Sequence, residues 1–234
     1  MLAILKRELS AYFNSAIGYI VLGIFYFFSG LFFFLSCLLS NTSDMSGVFG
    51  NMFMIVLLLI PIITMKSFSE EKKQKTDQAL LTAPVNLFEI VMGKFLGAFV
   101  LYAMCVAIFI VYTLVICCFT APNWATIFCT IFGMLLLGSA LIAIDIFISA
   151  LTESQVVAAF LSIAVALFIS LIDVFTNITN SQFLINCINA ISFNRNYLNF
   201  THGILDLSNV VFFVSIAAIF IFLTIRVFEK KRWN

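Results

Sequence analysis

The sequence predicts an all-α polytopic membrane protein with six transmembrane helices in a single domain spanning residues 1–234. Hydrophobic residues make up 63% of the chain and charged residues only 10%, and the mean hydropathy is +1.16. Several apolar runs are long enough to cross about 30 Å of hydrocarbon, which takes roughly 20 helical residues. This composition excludes a water-soluble globular protein. The formal net charge of +1 gives no reason to expect a nucleic-acid partner.

The first fifteen residues predict a helix lying in the inner headgroup layer. Apolar residues recur there at helical spacing and most polar residues fall elsewhere: Leu2, Leu5, Leu9 and Tyr12 or Phe13 against Lys6, Glu8, Ser10 and Asn14. The alternative is that the first span begins earlier.

Six spans follow from the apolar runs. We predict them at about residues 17–39, 51–65, 95–119, 126–150, 156–175 and 209–227. With this count, both termini share a side with eleven of the twelve Lys and Arg residues, and the opposite side has only Arg195. The excess of basic residues on cytoplasmic segments predicts that both termini lie in the cytoplasm and that the protein is a multi-pass protein of the inner, cytoplasmic membrane.

The most polar segment, residues 66–94, lies between the second and third spans. Ser67 and Glu70 form an S-x-x-E capping pattern, which predicts a helix from about Phe68 to Leu81. Pro84 prevents its continuation, and Asn86 with Glu89 repeats the capping pattern at the start of the third span.

The two sides of the predicted helix differ in polarity. One side carries Lys72, Lys73 and Lys75, and the other carries apolar residues that could enter a groove on another protein: Phe68, Ala79, Leu80 and Leu81. The alternative is a solvated loop whose lysines contact the inner leaflet.

The run MKSFSEEKKQKTDQALLTAPVNLFEIVMGKFLG, residues 65–97, resembles the cytoplasmic signature of ABC-2 type transporter permeases, especially the branch of gliding-motility and nitrous-oxide-reductase-associated permeases. The matching positions are Lys66, Glu70-Glu71-Lys72, Thr76, Leu80-Leu81, Pro84 and Gly93-Lys94. Lys75 departs from the pattern, because the family usually has Gly there. We expect the local helix to continue through Lys75, since a helix accepts Lys better than Gly.

The resemblance implies the permease subunit of an ATP-binding cassette exporter. Its segment 66–94 would contain the coupling helix that docks on a separate ABC ATPase subunit, through Phe68, Glu70, Glu71, Lys72, Thr76, Leu80, Leu81 and Pro84. It also implies a second permease chain, identical or a paralogue, and contact with membrane lipid.

The sequence itself has no Walker A motif, because Phe88 and Phe95 occupy positions that the motif gives to Gly and to Ser or Thr. We therefore expect this chain to be no enzyme and to bind no cofactor, with ATP and Mg²⁺ held by the partner. The alternative function is a membrane scaffold or assembly subunit that recruits a soluble protein through the same segment without transporting anything.

The segment 177–208 predicts short re-entrant or interfacial helices on the outer side. Apolar residues recur at helical spacing in the first half, and Asn194-Arg195-Asn196 then interrupt the pattern. The second half, Tyr197 to Leu207, is mixed apolar and polar with Gly203 inside, and neither half is long enough to span. The alternative is an ordinary outer loop. The family resemblance implies a pair of short helices that dip back into the membrane.

Asp145 is the candidate for a substrate pathway. An ionised carboxylate near the bilayer centre costs about 2.5 to 3.5 kcal/mol on insertion scales, so Asp145 should face protein or water. The alternative is a structural carboxyl group that is satisfied by Ser149, by a neighbouring helix or by protonation. The six cysteines form no C-x-x-C pair, and the sequence predicts no metal site.

Overall fold

The structure is a computed structural model, and it describes residues 1–73, 75, 86–178 and 191–233. All regular elements in these ranges are helical. They are α1 (Leu2–Asn14), α2 (Ala16–Phe33), a π-helical turn (Phe34–Leu38), α3 (Ser46–Thr64), α4 (Ser69–Lys73), α5 (Leu87–Val106), α6 (Ile108–Cys117), α7 (Trp124–Leu151), α8 (Gln155–Ile178), α9 (Phe193–Thr201) and α10 (Leu207–Trp233).

Six helical segments among the described residues are long and apolar enough to cross a membrane, which confirms the predicted all-α fold with six spans. They are Ala16–Leu38, Ser46–Lys73, Leu87–Cys117, Trp124–Leu151, Gln155–Ile172 and Leu207–Lys230. The second begins five residues before the predicted start, because the carboxylate of Asp44 accepts hydrogen bonds from the backbone N–H and the hydroxyl of Ser46. The third begins well before residue 95 and is interrupted at Ala107 between α5 and α6.

Helix α7 forms the centre of the bundle. It packs against α3, α5, α8, α9 and α10, and Leu137, Ala140 and Ile142 are fully buried. Most of this helix is buried, and exposed apolar residues such as Phe128 and Phe132 can face lipid, so the helix needs no polar face. The peripheral helices instead point large apolar side chains outward, for example Phe27 on α2 and Phe160 on α8. Such surfaces are stable only in lipid or against another protein.

Close packing between α5 and α7 depends on Gly138. The Tyr102 hydroxyl donates to the carbonyl of Met134 at 2.9 Å, which places the ring across the surface of α7. A Cβ atom added at Gly138 would lie 2.0 Å from a carbon of that ring.

Helix α1 lies against the first turns of α5. Added Cβ atoms at Gly93 and Gly97 would meet Ile4 at 2.8 Å and Glu8 at 2.9 Å, so the Gly-x-x-x-Gly pattern lets these two helices approach closely. Glu8, one of the polar residues of this amphipathic helix, faces α5. Tyr12 is buried on the same side, and its hydroxyl donates to the carbonyl of Ile63 at 3.0 Å.

Helix α9 differs from the prediction in its bounds. Asn194 to Asn196 lie inside the helix, because the Ser192 hydroxyl accepts a hydrogen bond from the backbone N–H of Arg195 at 3.1 Å and caps its start. The helix ends at Thr201 and not at Leu207, because Gly203 adopts φ +76°. The N–H groups of Gly203 and Ile204 then bond the carbonyls of Phe200 and Asn199 in a Schellman arrangement.

The buried face of α9 packs into one end of the bundle. Thr130 of α7 donates to the carbonyl of Phe200, and Tyr197 donates to the carbonyl of Phe49 at 3.1 Å. Burial raises the pKa of Tyr197 above its ordinary value, so its phenol remains a neutral donor. Residues 179–190, which make up most of the first half of the predicted outer segment, lie outside the described residues.

Substituting Gly138→Ala should destabilise the fold by about 1 to 3 kcal/mol, because the new methyl group overlaps the Tyr102 ring. Thermal unfolding of the detergent-purified protein measures this loss. Gly23→Ala is the matched control, since nothing lies within 4 Å of its added Cβ. Equal stability of the two variants would contradict the α5–α7 packing.

Candidate functional site

Only the start of the segment 66–94 can be compared with its predicted helix. The described helix, α4, ends at Lys73, and Lys75 adopts φ +56°. This left-handed conformation suits Gly better than any other residue, so the expectation of a helix that continues through Lys75 was wrong. Of the predicted site residues, Thr76, Leu80, Leu81 and Pro84 lie outside the described residues.

The predicted capping box of Ser67 and Glu70 does not form as expected. The Ser67 hydroxyl is buried without a hydrogen-bond partner among the residues that the structure describes. The hydroxyl of Ser149, on α7, accepts instead from the backbone N–H groups of Phe68 at 3.1 Å and Ser69 at 3.2 Å. A residue some eighty positions away in sequence therefore caps the start of α4, and sequence reasoning missed it.

The second predicted capping pair, Asn86 and Glu89, also lacks the expected hydrogen bond from its N-cap side chain. Asn86 does stand at the N-cap position of α5, but its side chain makes no capping hydrogen bond. The Glu89 carboxylate is 3.0 Å from the amino group of Met1. Helix α1 thus contacts the start of α5 as well as its later turns.

The ammonium group of Lys72 also connects α4 to α7, since it donates to the carbonyl of Ala150. Cations stabilise the carboxyl end of a helix, where backbone carbonyls lack helical partners. Ser149 and Lys72 together hold α4 against the last turn of α7.

Phe68 faces the interior of the protein. Its side chain is 2% exposed, and its ring centroid lies 4.6 Å from that of Phe228 on α10. The expectation that Phe68 contributes an exposed apolar side chain to a docking face is therefore corrected: Phe68 anchors α4 from within.

Four charged residues from three helices meet beside Phe68, and we call them the inner ion cluster: Arg7 and Glu8 of α1, Glu71 of α4 and Lys94 of α5. The Lys94 ammonium lies 3.1 Å from Glu8 Oε1 and 2.9 Å from Glu71 Oε1. The Arg7 guanidinium lies 3.0 Å and 2.8 Å from the same two oxygens. The cluster is neutral overall, with two cations and two carboxylates.

Lys94 is the most buried member, with a side chain 2% exposed, against 13% for Glu8, 18% for Glu71 and 52% for Arg7. Its ammonium also donates to the carbonyl of Ser67 and lies 4.8 Å from the centroid of the Phe68 ring. A buried cation is tolerated only when its hydrogen bonds and charge are satisfied, as they are here.

The carboxylates of Glu8 and Glu71 also raise the pKa values of neighbouring side chains. Burial alone would lower the pKa of Arg7, but hydrogen bonds and charge interactions with Glu8 and Glu71 outweigh it and raise that pKa. Burial and the charge of Glu8 raise the pKa of Tyr12 above its ordinary value. Arg7 thus stays cationic and Tyr12 stays a neutral donor.

The arrangement joins four helices through α4. Glu71 pairs with residues of α1 and α5, Ser149 and Ala150 bind α4 from α7, and Phe68 contacts α10. Glu70 lies on the wall of a cavity of about 490 Å³ next to the cluster. Sequence reasoning identified Glu71 and Lys72 but did not include Arg7, Glu8 or Ser149 among the site residues.

Asp145 is satisfied inside the bundle. It is 4% exposed, and its Oδ2 accepts from the Thr64 hydroxyl of α3 at 3.4 Å. The Ser162 side chain of α8 also hydrogen-bonds it. Neighbouring helices supply these partners, and Ser149 is occupied by α4. The carboxyl group therefore joins three helices, α3, α7 and α8.

This architecture defines a polytopic membrane protein that carries a short polar helix at one end of the bundle and ties it to several spans. The family model for ABC-2 family transporter proteins matches residues 51–233, more than half of the chain. The chain therefore belongs to the ABC-2 transporter family, whose members are permease subunits of ABC transporters. No curated protein matches the chain.

Substituting Lys94→Met should destabilise the protein by about 3 to 5 kcal/mol, because two part-buried carboxylates lose their buried cation. Thermal unfolding in detergent measures this. Arg226→Met is the control, because its ion pair with Glu229 is exposed and such pairs contribute about 0 to 1 kcal/mol. A Lys94 variant as stable as the control would show that the cluster does not hold α4.

Substituting Ser149→Ala should speed hydrogen exchange at the amides of Phe68 and Ser69 by about tenfold, since loss of a helix cap costs roughly 0.5 to 2 kcal/mol. Hydrogen exchange followed by mass spectrometry of residues 66–73 measures this opening. Ser170→Ala should leave these amides unchanged, because that hydroxyl donates to the carbonyl of Leu167 in its own helix and bonds no other helix among the described residues. Unchanged exchange in the Ser149 variant would contradict its capping role.

Proposed function

We propose that this chain is the permease subunit of an ATP-driven exporter and that segment 66–94 docks on a separate ABC ATPase subunit. The partner would bind ATP and Mg²⁺ and hydrolyse the nucleotide. Its contacts on this chain would come from Glu70, Glu71, Lys72, Thr76, Leu80, Leu81 and Pro84, while Phe68 positions the segment from inside.

One observation carries the proposal: the polar start of this segment is fixed to several membrane helices at once. Separation of Lys94 from Glu71 would remove one of the two carboxylates that pair with this buried cation. A force applied by a partner to α4 would therefore move α5 and α1 through the inner ion cluster, and α7 through Ser149 and Ala150. Transmission of nucleotide-driven motion needs a physical connection of this kind.

The distribution of basic residues supports a cytoplasmic position for α4. The carboxyl end of α10, with Arg226 and Lys230, lies at the same end of the bundle as α4, since Phe228 contacts Phe68. Arg195 belongs to α9, which packs at the opposite end. We propose that both termini are cytoplasmic and that the protein lies in the inner membrane.

We also propose a second permease chain, identical or a paralogue. Large apolar side chains on α2 and α8 point away from the bundle, which offers surfaces for another permease chain or for lipid. The resemblance of residues 65–97 supports placing the protein in the gliding-motility and nitrous-oxide-reductase-associated branch.

The double substitution Leu80→Asp with Leu81→Asp should abolish co-purification with the ATPase, because two charges replace the apolar residues of the proposed contact. The full chain is co-expressed with each ABC ATPase encoded near its gene, and affinity capture and ATP hydrolysis are measured. Ile204→Asp with Leu205→Asp is the matched control, since these exposed residues lie at the other end of the bundle.

Wild-type capture that the Leu80 and Leu81 variant loses and the control keeps would support the docking assignment. Unchanged capture by that variant would refute it. Capture of a soluble protein without stimulated ATP hydrolysis would favour the scaffold function instead.

A further inference from the structure

The third span is broken at Ala107, although its own sequence gives no reason for a break. Residues 98–117 contain neither Gly nor Pro, yet α5 ends at Val106 and α6 begins at Ile108. The N–H of Ile110 bonds the carbonyl of Ala107, three residues earlier, at 3.1 Å, so the α-helical ladder is interrupted here. Without Gly or Pro, such an interruption arises where another group enters the ladder.

The hydroxyl of Tyr26, on α2, is the group that enters it. This hydroxyl donates to the carbonyl of Met104 at 3.0 Å. In an unbroken α-helix, the same carbonyl would accept from the N–H of Ile108, four residues later. Tyr26 is 37% exposed, so close packing does not fix its hydroxyl in this position. The Met104 carbonyl therefore has two alternative donors, one in a broken span and one in a straight span.

Beyond the break, α6 is attached to α2 through side chains. The Tyr112 hydroxyl lies 3.0 Å from the hydroxyl of Ser29, and the Tyr112 ring stacks on Phe33 with 4.6 Å between the ring centroids. The opposite side of α6 is exposed, for example at Val111 and Leu114. Rotation of α6 about Ala107 would break these contacts with α2 and would meet lipid on the other side.

The last turns of α6 cover a cavity beside the π-helical turn of α2. We call it the α2–α6 cavity, and its volume is about 320 Å³. Cys37 and Leu38 line it from the turn, and Val115, Ile116 and Phe119 line it from the other side. Cys37 is buried, with 3% of its surface exposed. The cavity lies at the end of the bundle away from α4, because α2 and α5 both begin beside the inner ion cluster.

The helix on the α2 side of this cavity is irregular too. The N–H of Leu39 bonds the carbonyl of Phe34, five residues earlier, at 2.9 Å, and the Thr42 hydroxyl donates to the carbonyl of Ser36 at 2.9 Å. Single π-helical turns inside α-helices are frequent at functional sites. Both spans that border the cavity thus depart from regular α-helix close to it.

We propose that α6 is a hinged flap over the α2–α6 cavity, with Ala107 as the pivot and the Tyr26 hydroxyl as the catch. While Tyr26 holds the Met104 carbonyl, the span stays broken and α6 packs on α2. When the span straightens, Tyr112 leaves α2 and Cys37 becomes accessible. This movement belongs to the chain itself and needs no ATPase, so its absence would leave the proposed docking of segment 66–94 unaffected.

The closed and open flap differ by an exchange of hydrogen bonds. In the closed form, the Met104 carbonyl accepts from Tyr26. In the open form, it accepts from the N–H of Ile108, and the N–H of Ile110 bonds Val106 as in a regular α-helix. The carbonyl has a donor in both forms, so neither form leaves it unsatisfied. Two discrete arrangements of this kind are what a two-state element requires.

The test measures how fast Cys37 reacts with N-ethylmaleimide in the detergent-purified full chain, after the other native cysteines are replaced. Tyr26→Phe should raise the labelling rate by about five- to tenfold, the population change expected when one ordinary hydrogen bond of the closed form is lost. Tyr19→Phe is the matched control. Tyr19 is also on α2 and exposed, and its hydroxyl has no hydrogen-bond partner in the part of the chain that the structure describes.

Tyr112→Phe provides a second variant, because it keeps the ring on Phe33 and removes the contact with Ser29. It should also speed the labelling of Cys37. A matching form that keeps only Cys129, which is 6% exposed on α7, reports general unfolding, and its labelling rate should be the same in every variant.

Unchanged labelling of Cys37 in both the Tyr26 and the Tyr112 variants would overturn the proposal. An equal increase in the Tyr19 variant would do the same, since that hydroxyl holds nothing. An equal increase at Cys129 would also overturn it, because the variants would then loosen the whole bundle and not the flap.

Discussion

The buried ammonium of Lys94 is the constraint on which one end of this molecule depends. It is 2% exposed and pairs with Glu8 and Glu71, which belong to two other helices. Because an unpaired buried charge is strongly unfavourable, α1, α4 and α5 have one relative position that satisfies all the groups. The close approach that makes the pairs possible depends on Gly93 and Gly97, where any side chain would meet α1. Small residues and buried charge thus act together at this end of the bundle.

The opposite end is organised by hydrogen bonds and aromatic packing. Tyr197 and Phe200 of α9 enter the bundle beside α3 and α7. Tyr197 donates to the carbonyl of Phe49 on α3, and Thr130 of α7 donates to the carbonyl of Phe200. Between the two ends, α7 is buried along most of its length, and Asp145 links it to α3 and α8. A bundle with a buried central helix and polar contacts at its ends can move as packed units under an applied force, as the proposed coupling to a partner requires.

The sequence was sufficient to predict the six spans, because their apolar length is a local property. It also located α1, α9 and the polar segment. What it could not supply were partners distant in sequence. Ser149 caps α4 across about eighty residues, and Glu8 faces inward because its cation belongs to α5. The local S-x-x-E pattern favoured Ser67 as the cap, but tertiary packing buried that hydroxyl.

Helix propensity favoured Lys75 as helical, whereas the chain turns there through φ +56°. Gly203 was a local signal that α9 ends near it, but the prediction extended the segment to Leu207 because apolar residues continue beyond Gly203.

The most direct test of the account is the sidedness of Lys75, the exposed residue that follows α4. A Lys75→Cys variant, made in a form whose six native cysteines are replaced, is treated with a membrane-impermeant maleimide in intact cells and after permeabilisation. The account predicts labelling of this position only after permeabilisation, and labelling of a Leu205→Cys variant in intact cells. Labelling of the Lys75→Cys variant in intact cells would place the inner ion cluster outside the cytoplasm and would contradict its coupling to an intracellular ATPase.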